Sequence, residues 1–245
     1  MGEEKLRLGK VSYKNTLPLF YGWKLPFVEI VEGTPSELAN GISVGMLDGG
    51  ILSSLYYIQS GARFSLLPDI SISSFGKVRS VLILSEKPLE EIRTLKISPE
   101  SLSSNFITYA VLKKYLKIPV RFVKGGKTDA ELVIGDRALE RLKVNPTPFV
   151  YDVGELWFKN TGLPAVFAVF IVPTRWLVRY PEKASELALT LINSKERFFK
   201  DLPDLNLDGE TKDYLLNLNY DFREPHLESL KLLEQLYRDY TLGKL

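Results

Sequence analysis

Two polar clusters in this sequence contain residue types that could bind a small anion. The first is Ser-Tyr-Lys-Asn-Thr at 12–16, which follows an alternating apolar and polar run at 5–12. Where a parallel strand is followed by a helix, free N–H groups and the positive end of the helix dipole form an anion site at the carboxyl edge of the sheet. Asn15 and Thr16 are therefore candidates for holding a carboxylate or a ring oxygen. Either residue could instead cap the short helix that follows.

The second cluster is Ser-Pro-Glu-Ser-Leu-Ser-Ser-Asn at 98–105, which precedes a predicted helix. Its hydroxyls at Ser101, Ser103 and Ser104, together with backbone N–H groups, could bind an anion that faces Asn15. A single N-cap serine would account for one of these hydroxyls but not for all three. The cap and the anion site are equally compatible with this pattern.

Ser80 is a third candidate, because its hydroxyl lies among valines and leucines in FGKVRSVLILS. A buried O–H without a partner costs about 1 to 3 kcal/mol, so this group must bond the backbone or face a ligand. The local sequence does not decide between the two.

The composition excludes several kinds of catalysis and binding. The chain has 245 residues, no Cys and a single His, His226. Thiol catalysis, disulfides, Cys/His zinc sites and His-based triads are therefore excluded. The net charge is +2, from 32 basic and 30 acidic residues, with no basic block, so nucleic acid is not an expected partner. The chemistry must depend on hydroxyls, amides, carboxylates, Lys, Arg or backbone groups, and no metal or cofactor is expected.

The sequence also gives no sign of membrane insertion or export. The longest apolar run, at 165–172, is far shorter than the roughly 18 to 20 residues of a membrane helix. The first nine residues lack the apolar region of a signal peptide. We expect a cytoplasmic protein.

The elements that must position the polar clusters alternate between strands and helices. A capping box with Thr34, Pro35 and Glu37 predicts a helix that stops at Gly45. Val/Ile/Leu-rich runs indicate a mainly parallel sheet covered by helices on both faces. The predicted strands lie at 5–12, 26–33, the first part of 49–58, 63–74, 77–88, 94–98, 120–124, 130–135 and 165–172. The later helices are predicted at 105–116, 136–143, around 153–160, at 181–200 and at 226–240.

This order of elements predicts an α/β chain of two lobes. Lobe one comprises residues 1–85 with 172–245, including the C-terminal helices, and lobe two comprises residues 86–171. Two crossings between the lobes, near 80–90 and 165–172, would create a hinge and a central cleft.

Five motifs in this chain resemble, in sequence and spacing, those of the chorismate dehydratases of the futalosine route to menaquinone. The resemblance spans about residues 6–172. A sister family in the same pathway, the 1,4-dihydroxy-6-naphthoate synthases, is similar in fold but opens with a Cys-containing stretch that this chain lacks. The motifs are GKVSYKNTLPL, TPSELANGISVGMLD, ISISSFGKVRSVLILS, ELVIGDRAL and YDVGELWFKNTGLPAVFAV.

The resemblance implies a periplasmic-binding-protein-like fold of type II that serves as a cofactor-independent hydro-lyase. The implied substrate is a small dicarboxylate, chorismate, which loses its ring hydroxyl and a ring proton to give 3-[(1-carboxyvinyl)oxy]benzoate and water. Aromatisation supplies the driving force, and in this family the enolpyruvyl carboxylate of the substrate is thought to be the base. The protein then needs only to hold a reactive conformer and stabilise developing charge.

The resemblance also assigns roles to the candidate residues. Asn15 and Ser80 match positions that orient the substrate and assist departure of the hydroxyl, so both are expected to be catalytic. Ser103 and Ser104 match a Thr-Ser pair that would bind a carboxylate. Tyr13 and Thr16 are expected to line the substrate pocket.

Three departures from the family pattern leave alternatives open. Lys14 replaces an aliphatic residue, SSLYYI at 53–58 replaces a Pro-Ser-x-Glu-Tyr-like stretch, and Leu102 replaces an Arg. Loss of that Arg removes a partner for a substrate carboxylate. A non-enzymatic cytoplasmic binding protein for a small aromatic carboxylate and the sister naphthoate synthase are therefore the competing hypotheses.

Overall fold

Strands and helices alternate through most of the chain, as the sequence predicts. The computed structural model describes residues 5–144 and 146–244. The strands are β1 (Leu6–Val11), β2 (Val28–Gly33), β3 (Gly49–Ser53), β4 (Phe64–Ser74), β5 (Val81–Ser85), β6 (Thr94–Lys96), β7 (Arg121–Val123), β8 (Ala130–Ile134), β9 (Phe149–Asp152) and β10 (Ala165–Pro173). The α-helices are α1 (Leu17–Phe20), α2 (Pro35–Ser43), α3 (Ser54–Ser60), α4 (Leu102–Ala110), α5 (Asp136–Val144), α6 (Val153–Thr161), α7 (Thr174–Arg179), α8 (Pro181–Asp201), α9 (Gly209–Asn217) and α10 (Glu224–Thr241).

The start of α2 is set by its local sequence. Thr34 Oγ1 accepts the Glu37 N–H at 3.4 Å, and Glu37 Oε2 accepts the Thr34 N–H at 2.8 Å. Pro35 occupies the first turn, where its missing N–H leaves no bond unmade. Leu38 and Ile42 are buried on the inner face of the helix. The predicted capping box is confirmed.

The chain forms two compact units. The first unit comprises Met1–Ile72 and Ala168–Arg223, and the second comprises Ser73–Phe167 and Glu224–Leu245. The chain therefore passes between the units three times, after Ile72, Phe167 and Arg223, whereas the sequence predicts two crossings.

The limits of these units differ from the predicted lobes at β5 and at α10. The prediction places both elements in lobe one, and both belong to the second unit. Ile83 of β5 lies opposite Leu132 and Tyr151, so β5 is a central strand of the second sheet. In α10, the Ser229 hydroxyl donates to the Pro164 carbonyl at 2.6 Å. Amphipathic spacing predicts that a helix buries one face, but it does not say which unit covers that face.

The sheet of the first unit has the strand order β2-β1-β3-β10-β4. β1 pairs parallel with β2 and β3, whereas β10 pairs antiparallel with β3. The prediction of a mainly parallel sheet is therefore confirmed for β1 to β3 and wrong for β10. Because parallel strands end at the same edge, the polar segment after β1 lies at the carboxyl edge of this sheet.

Two glycines allow the strands of this sheet to approach closely. A Cβ atom on Gly49 would lie 2.2 Å from the Ile171 carbonyl oxygen. A Cβ atom on Gly50, where φ is +133°, would lie 2.1 Å from the Gly9 carbonyl oxygen. No side chain fits at either position without moving β1 or β10.

The sheet of the second unit has the order β7-β6-β8-β5-β9. β6 pairs parallel with β7 and β8, and β5 pairs antiparallel with β8 and β9. All five residues of β5 are buried, which accounts for its continuous Val-Leu-Ile-Leu sequence. Ser80 immediately precedes this buried strand, so the sheet fixes the backbone at that position.

Candidate functional site

The segment after β1 folds into one tight turn. β1 ends at Val11, residues Lys14–Thr16 form a 3-10 turn, and α1 follows directly. Thr16 is fully buried, and its hydroxyl lies 2.8 Å from the Val11 carbonyl oxygen and 2.9 Å from that of Tyr13. This hydroxyl therefore holds the turn closed against the end of the strand.

Neither Asn15 nor Thr16 acts as a helix cap through its side chain. Thr16 occupies the N-cap position of α1, but its side chain accepts no hydrogen bond from that helix. The N-cap of the 3-10 turn is Tyr13, whose side chain also makes no capping bond. The capping interpretation of Asn15 and Thr16 is therefore wrong.

Asn15 carries a buried hydrogen-bond acceptor that is not used. Its Oδ1 atom is inaccessible to solvent and has no donor among the described residues. Buried polar groups in native proteins are normally paired, because an unmade bond costs about 1 to 3 kcal/mol. An amide oxygen in this state is suited to accept a hydrogen bond from a ligand hydroxyl or N–H.

Lys14 interacts with α9. Its Nζ donates to Thr211 Oγ1 at 3.2 Å, and Thr211 in turn donates to Asp208 Oδ2 at 2.7 Å. Asp208 is the N-cap of α9. Lys14 thereby links the turn after β1 to the start of a helix in the same unit.

In the second unit, Ser80 lies in a loop that a buried carboxylate holds in place. Asp152 Oδ1 accepts the Val78 N–H at 3.0 Å, and Oδ2 accepts the Arg79 N–H at 2.7 Å. Arg79 has φ of +65°, a left-handed conformation that non-glycine residues rarely adopt. The Ser80 carbonyl accepts the Gly135 N–H at 2.8 Å, and Ser80 itself is 3% exposed. The loop is therefore anchored on both sides of Arg79.

Asp152 is a positioning residue that the sequence analysis does not identify. It is also the N-cap of α6, where Oδ1 accepts the Glu155 N–H at 3.0 Å. Burial raises the pKa of the Asp152 carboxyl, and the backbone N–H groups of Val78 and Arg79 oppose that rise. The pattern Asp-x-x-Glu before an apolar run could have shown the cap, but not the bonds to residues more than 70 positions earlier.

Helix α6 approaches the same loop closely at Gly154. A Cβ atom there would lie 2.5 Å from Ser74 Oγ and 2.6 Å from the Gly76 carbonyl oxygen. Any side chain at this position would displace the loop that leads to Ser80. The Gly in YDVGELWF is thus required by the position of the loop.

The serine cluster at the start of α4 contains the N-cap of that helix. Ser101 is the N-cap, and its Oγ accepts the Ser104 N–H at 3.1 Å and donates to Ser104 Oγ at 2.9 Å. Ser103 is fully buried, and Ser104 is 3% exposed. The cap interpretation is confirmed for Ser101, and it leaves Ser103 and Ser104 adjacent in the first turn of the helix.

The predicted residues thus fall into three groups. Tyr13, Asn15 and Thr16 share one turn of the first unit. In the second unit, Ser103 and Ser104 lie at the start of α4, and Ser80 lies in the loop before β5. Within residues 5–144 and 146–244, no group of three Asp, Glu or His side chains is placed to hold a metal ion.

The sequence matches a model of a menaquinone biosynthesis family over residues 6–239. The chain belongs to this family. A chorismate dehydratase from Thermus thermophilus is 30% identical over 185 residues, which cover 66% of this chain and 68% of that protein.

Solved structures show that the fold is that of the periplasmic binding proteins. The alkanesulfonate-binding protein from Xanthomonas axonopodis pv. citri, bound to MOPS, has a TM-score of 0.67 at 14% identity and covers 100% of this chain and 94% of its own. The periplasmic aliphatic sulphonate binding protein from Escherichia coli has a TM-score of 0.66 at 13% identity. The match covers 98% of this chain and 94% of that protein. A protein from Archaeoglobus fulgidus has a TM-score of 0.65 at 12% identity, and the match covers 97% of this chain and 98% of that protein.

Two further observations bear on this family member. Leu102 is 43% exposed in the first turn of α4. Across the described residues, every helix is too short or too polar to span a membrane. Position 102 therefore presents an apolar side chain, not a cation, beside Ser103.

Proposed function

We propose that this protein is a chorismate dehydratase, a cofactor-independent hydro-lyase that converts chorismate to 3-[(1-carboxyvinyl)oxy]benzoate and water. The observation that carries the proposal is membership of the menaquinone biosynthesis family together with 30% identity to a chorismate dehydratase. The proposal includes a cytoplasmic location and no nucleic-acid partner.

The unused acceptor of Asn15 supports this reaction. At neutral pH both carboxylates of chorismate are ionised, so the ring hydroxyl is the only O–H donor that the substrate carries. The buried Asn15 Oδ1 can accept this O–H and hold the hydroxyl in one orientation. In the proposed reaction the ring C–O bond breaks, a ring C–H proton is taken up by the substrate's own enolpyruvyl carboxylate, and that carboxylate passes the proton to the departing hydroxyl, which leaves as water. Orienting the hydroxyl restricts the substrate to the reactive conformer.

The other candidates have supporting roles in this proposal. Ser80 assists departure of the hydroxyl, and its position is fixed by the loop at residues 78–80, which is bonded to Asp152 and Gly135. Ser103 and Ser104 bind a substrate carboxylate at the start of α4, where backbone N–H groups favour an anion. Tyr13 and Thr16 form the turn that presents Asn15.

The direct test is incubation of the purified protein with chorismate, with the aromatic product followed by chromatography. We expect turnover well above spontaneous decay, without added metal or cofactor and in the presence of a chelator. Turnover no faster than in a protein-free control would refute the dehydratase assignment.

The exposed Leu102 favours one second candidate, a binding protein for a small aromatic carboxylate. Calorimetry with chorismate and with isophthalate would distinguish the two functions, since tight binding without conversion would favour a binding protein. Activity on the cyclised naphthoate precursor, with none on chorismate, would instead identify the sister synthase.

A further inference from the structure

A cavity of about 500 Å³ lies at the amino edge of the first unit's sheet. Leu6 begins β1, and Phe27 and Asp48 directly precede β2 and β3, so the starts of three parallel strands form its floor. Asn15 lies beyond the opposite end of β1. A strand of six residues is about 16 to 20 Å long, which separates the cavity from the proposed catalytic turn.

Four cationic side chains line this cavity: Lys5, Arg175, Arg179 and Lys183. Lys5, Arg175 and Arg179 form no ion pair with a carboxylate of the described residues. Arg175 and Arg179 are four residues apart in α7, a spacing that brings the two like charges together on one face of the helix. The cations therefore repel one another unless an anion lies between them.

The one carboxylate that lines the cavity among the described residues is already engaged. Asp48 Oδ2 accepts the Arg7 N–H at 2.8 Å and lies 3.8 Å from Arg7 Nε. Asp48 is consequently paired with a residue outside the cavity, and Lys5, Arg175 and Arg179 remain available to a ligand.

Three aromatic rings share the cavity with the cations: Phe27, Trp176 and Tyr180. Lys183 Nζ lies 5.3 Å from the centroid of the Phe27 ring and 5.4 Å from that of Tyr180. The guanidinium of Arg179 lies 5.3 Å from the Tyr180 centroid, and Tyr180 is 36% exposed. These cation–π contacts hold the charged groups beside ring faces on which a planar ligand could stack.

We propose that this cavity binds a small polyanion that carries a flat ring. Its volume is in the range of about 300 to 1,000 Å³ that small-molecule sites occupy. A second cavity of about 450 Å³ adjoins it, since the two share Asp48, Pro173 and Arg175 in their linings. The second cavity adds Arg63, so a ligand with a second charged group beyond the ring also fits. This chemistry is found in nucleoside diphosphates and in aromatic dicarboxylates.

Calorimetric titration of the full chain at low salt tests this proposal with four probes. ADP and isophthalate each combine a ring with two or more charges, tripolyphosphate has charge without a ring, and adenosine has a ring without charge. We expect ADP or isophthalate to bind more tightly than both tripolyphosphate and adenosine, and to weaken as salt is added. Whichever of the two binds identifies the ligand as a phosphate or a carboxylate.

Substitutions then locate the binding. Arg175→Gln and Arg179→Gln should each weaken binding about tenfold, the loss expected for one charge-assisted hydrogen bond. Trp176→Leu should weaken binding of the ring-bearing anion, whereas Trp176→Phe should keep it, because only an aromatic ring is needed at this position. Lys200→Gln removes an exposed cation near the far end of α8 and should leave the affinity unchanged. Asn15→Ala should also leave it unchanged, which separates this binding from that at the proposed catalytic turn.

Three results of the titrations would overturn the proposal. They are the absence of binding by both ring-bearing anions, equal affinity for tripolyphosphate, and affinity that survives both Arg substitutions. Binding to phosphatidylglycerol vesicles without binding of ADP or isophthalate would also overturn it, because the basic aromatic surface would then be a membrane contact.

Discussion

The unused acceptor on Asn15 makes this residue costly to the folded protein. Its Oδ1 is buried without a donor among the described residues, and such a group lowers stability by about 1 to 3 kcal/mol. Thr16, one residue later, stabilises the folded protein instead, since its buried hydroxyl is within hydrogen-bond distance of two backbone carbonyl oxygens. The two residues therefore provide a matched comparison between binding and stability.

Asn15→Ala is expected to lower turnover of chorismate about a hundredfold, as loss of one oriented polar contact does in other enzymes. The same substitution should leave the melting temperature unchanged or raise it, because it removes an unpaired buried group. Thr16→Ala should lower the free energy of unfolding by about 1 to 3 kcal/mol. Steady-state kinetics and thermal melts of the two variants measure both effects. A clear loss of stability in Asn15→Ala with full activity would show that Asn15 is structural.

Asp152 is expected to affect turnover through the loop that contains Ser80. In Asp152→Asn the side-chain amide nitrogen cannot accept a bond, so either the Val78 or the Arg79 N–H loses its partner. Displacement of Ser80 by a fraction of an ångström should lower kcat about tenfold or more. Glu155→Gln, which removes a half-exposed ion pair with Lys159 in the same helix, is the control. Equal kcat values in the two variants would contradict a positioning role for Asp152.

At the scale of elements, Asp129 joins several strand ends in the second unit. Its carboxylate accepts the Lys87 Nζ at 2.7 Å after β5, and the N–H groups of Arg93 and Thr94 at 2.9 and 3.0 Å at the start of β6. The bond from Lys87, followed by that from the Arg93 N–H, lowers the pKa of the Asp129 carboxyl well below its usual range. The ionised form is therefore favoured in the folded chain.

This lowered pKa predicts a pH-dependent contribution to stability. The folded chain binds the proton less readily than the unfolded chain, so the contribution is present above pH ~4 and declines as the pH falls further. Asp129→Asn should lower the melting temperature by several degrees at pH 7, and the difference from the unsubstituted protein should shrink at pH 3. Glu131→Gln, which breaks only long contacts of 3.9 and 3.7 Å, should have a small effect. A difference that stays constant with pH would exclude ionisation of Asp129 as the cause.

Elements with strong local signals are the ones that the sequence predicts well. The capping box at Thr34, the buried run of β5 and the alternation of β1 are each determined by neighbouring residues. The direction of β10 was not predictable, because a buried strand has the same apolar sequence pattern in a parallel and in an antiparallel sheet. The hydrogen bonds of Asp152 with residues 78 and 79 were not predictable either, since no spacing rule connects positions so far apart in the sequence.

At the scale of the whole molecule, the same limitation explains the wrong assignment of α10. Its apolar spacing predicts an amphipathic helix, but any apolar surface could have covered the buried Leu230, Leu233 and Leu236. Contacts across more than 70 positions place it in the second unit, where Ser229 Oγ accepts the Trp157 Nε1–H at 3.2 Å. The second unit is therefore completed only by the last part of the chain.

A chain that ends at Arg223 tests whether the second unit depends on α10. Burial of the three leucines contributes about 1.5 to 3 kcal/mol each, a sum comparable with the roughly 5 to 15 kcal/mol of stability of a whole domain. Without α10, the edge-to-face contact of Phe106 with Tyr237 and the hydrogen bond of Trp157 are also lost. We expect amide hydrogen exchange to show lost protection in β5 and β8, while β1 and β3, whose sheet lies in the first unit, stay protected. A chain that ends at Thr241 keeps α10 and should match the full chain. Equal loss of protection in both units, or full protection of β5 without α10, would contradict this division of the molecule.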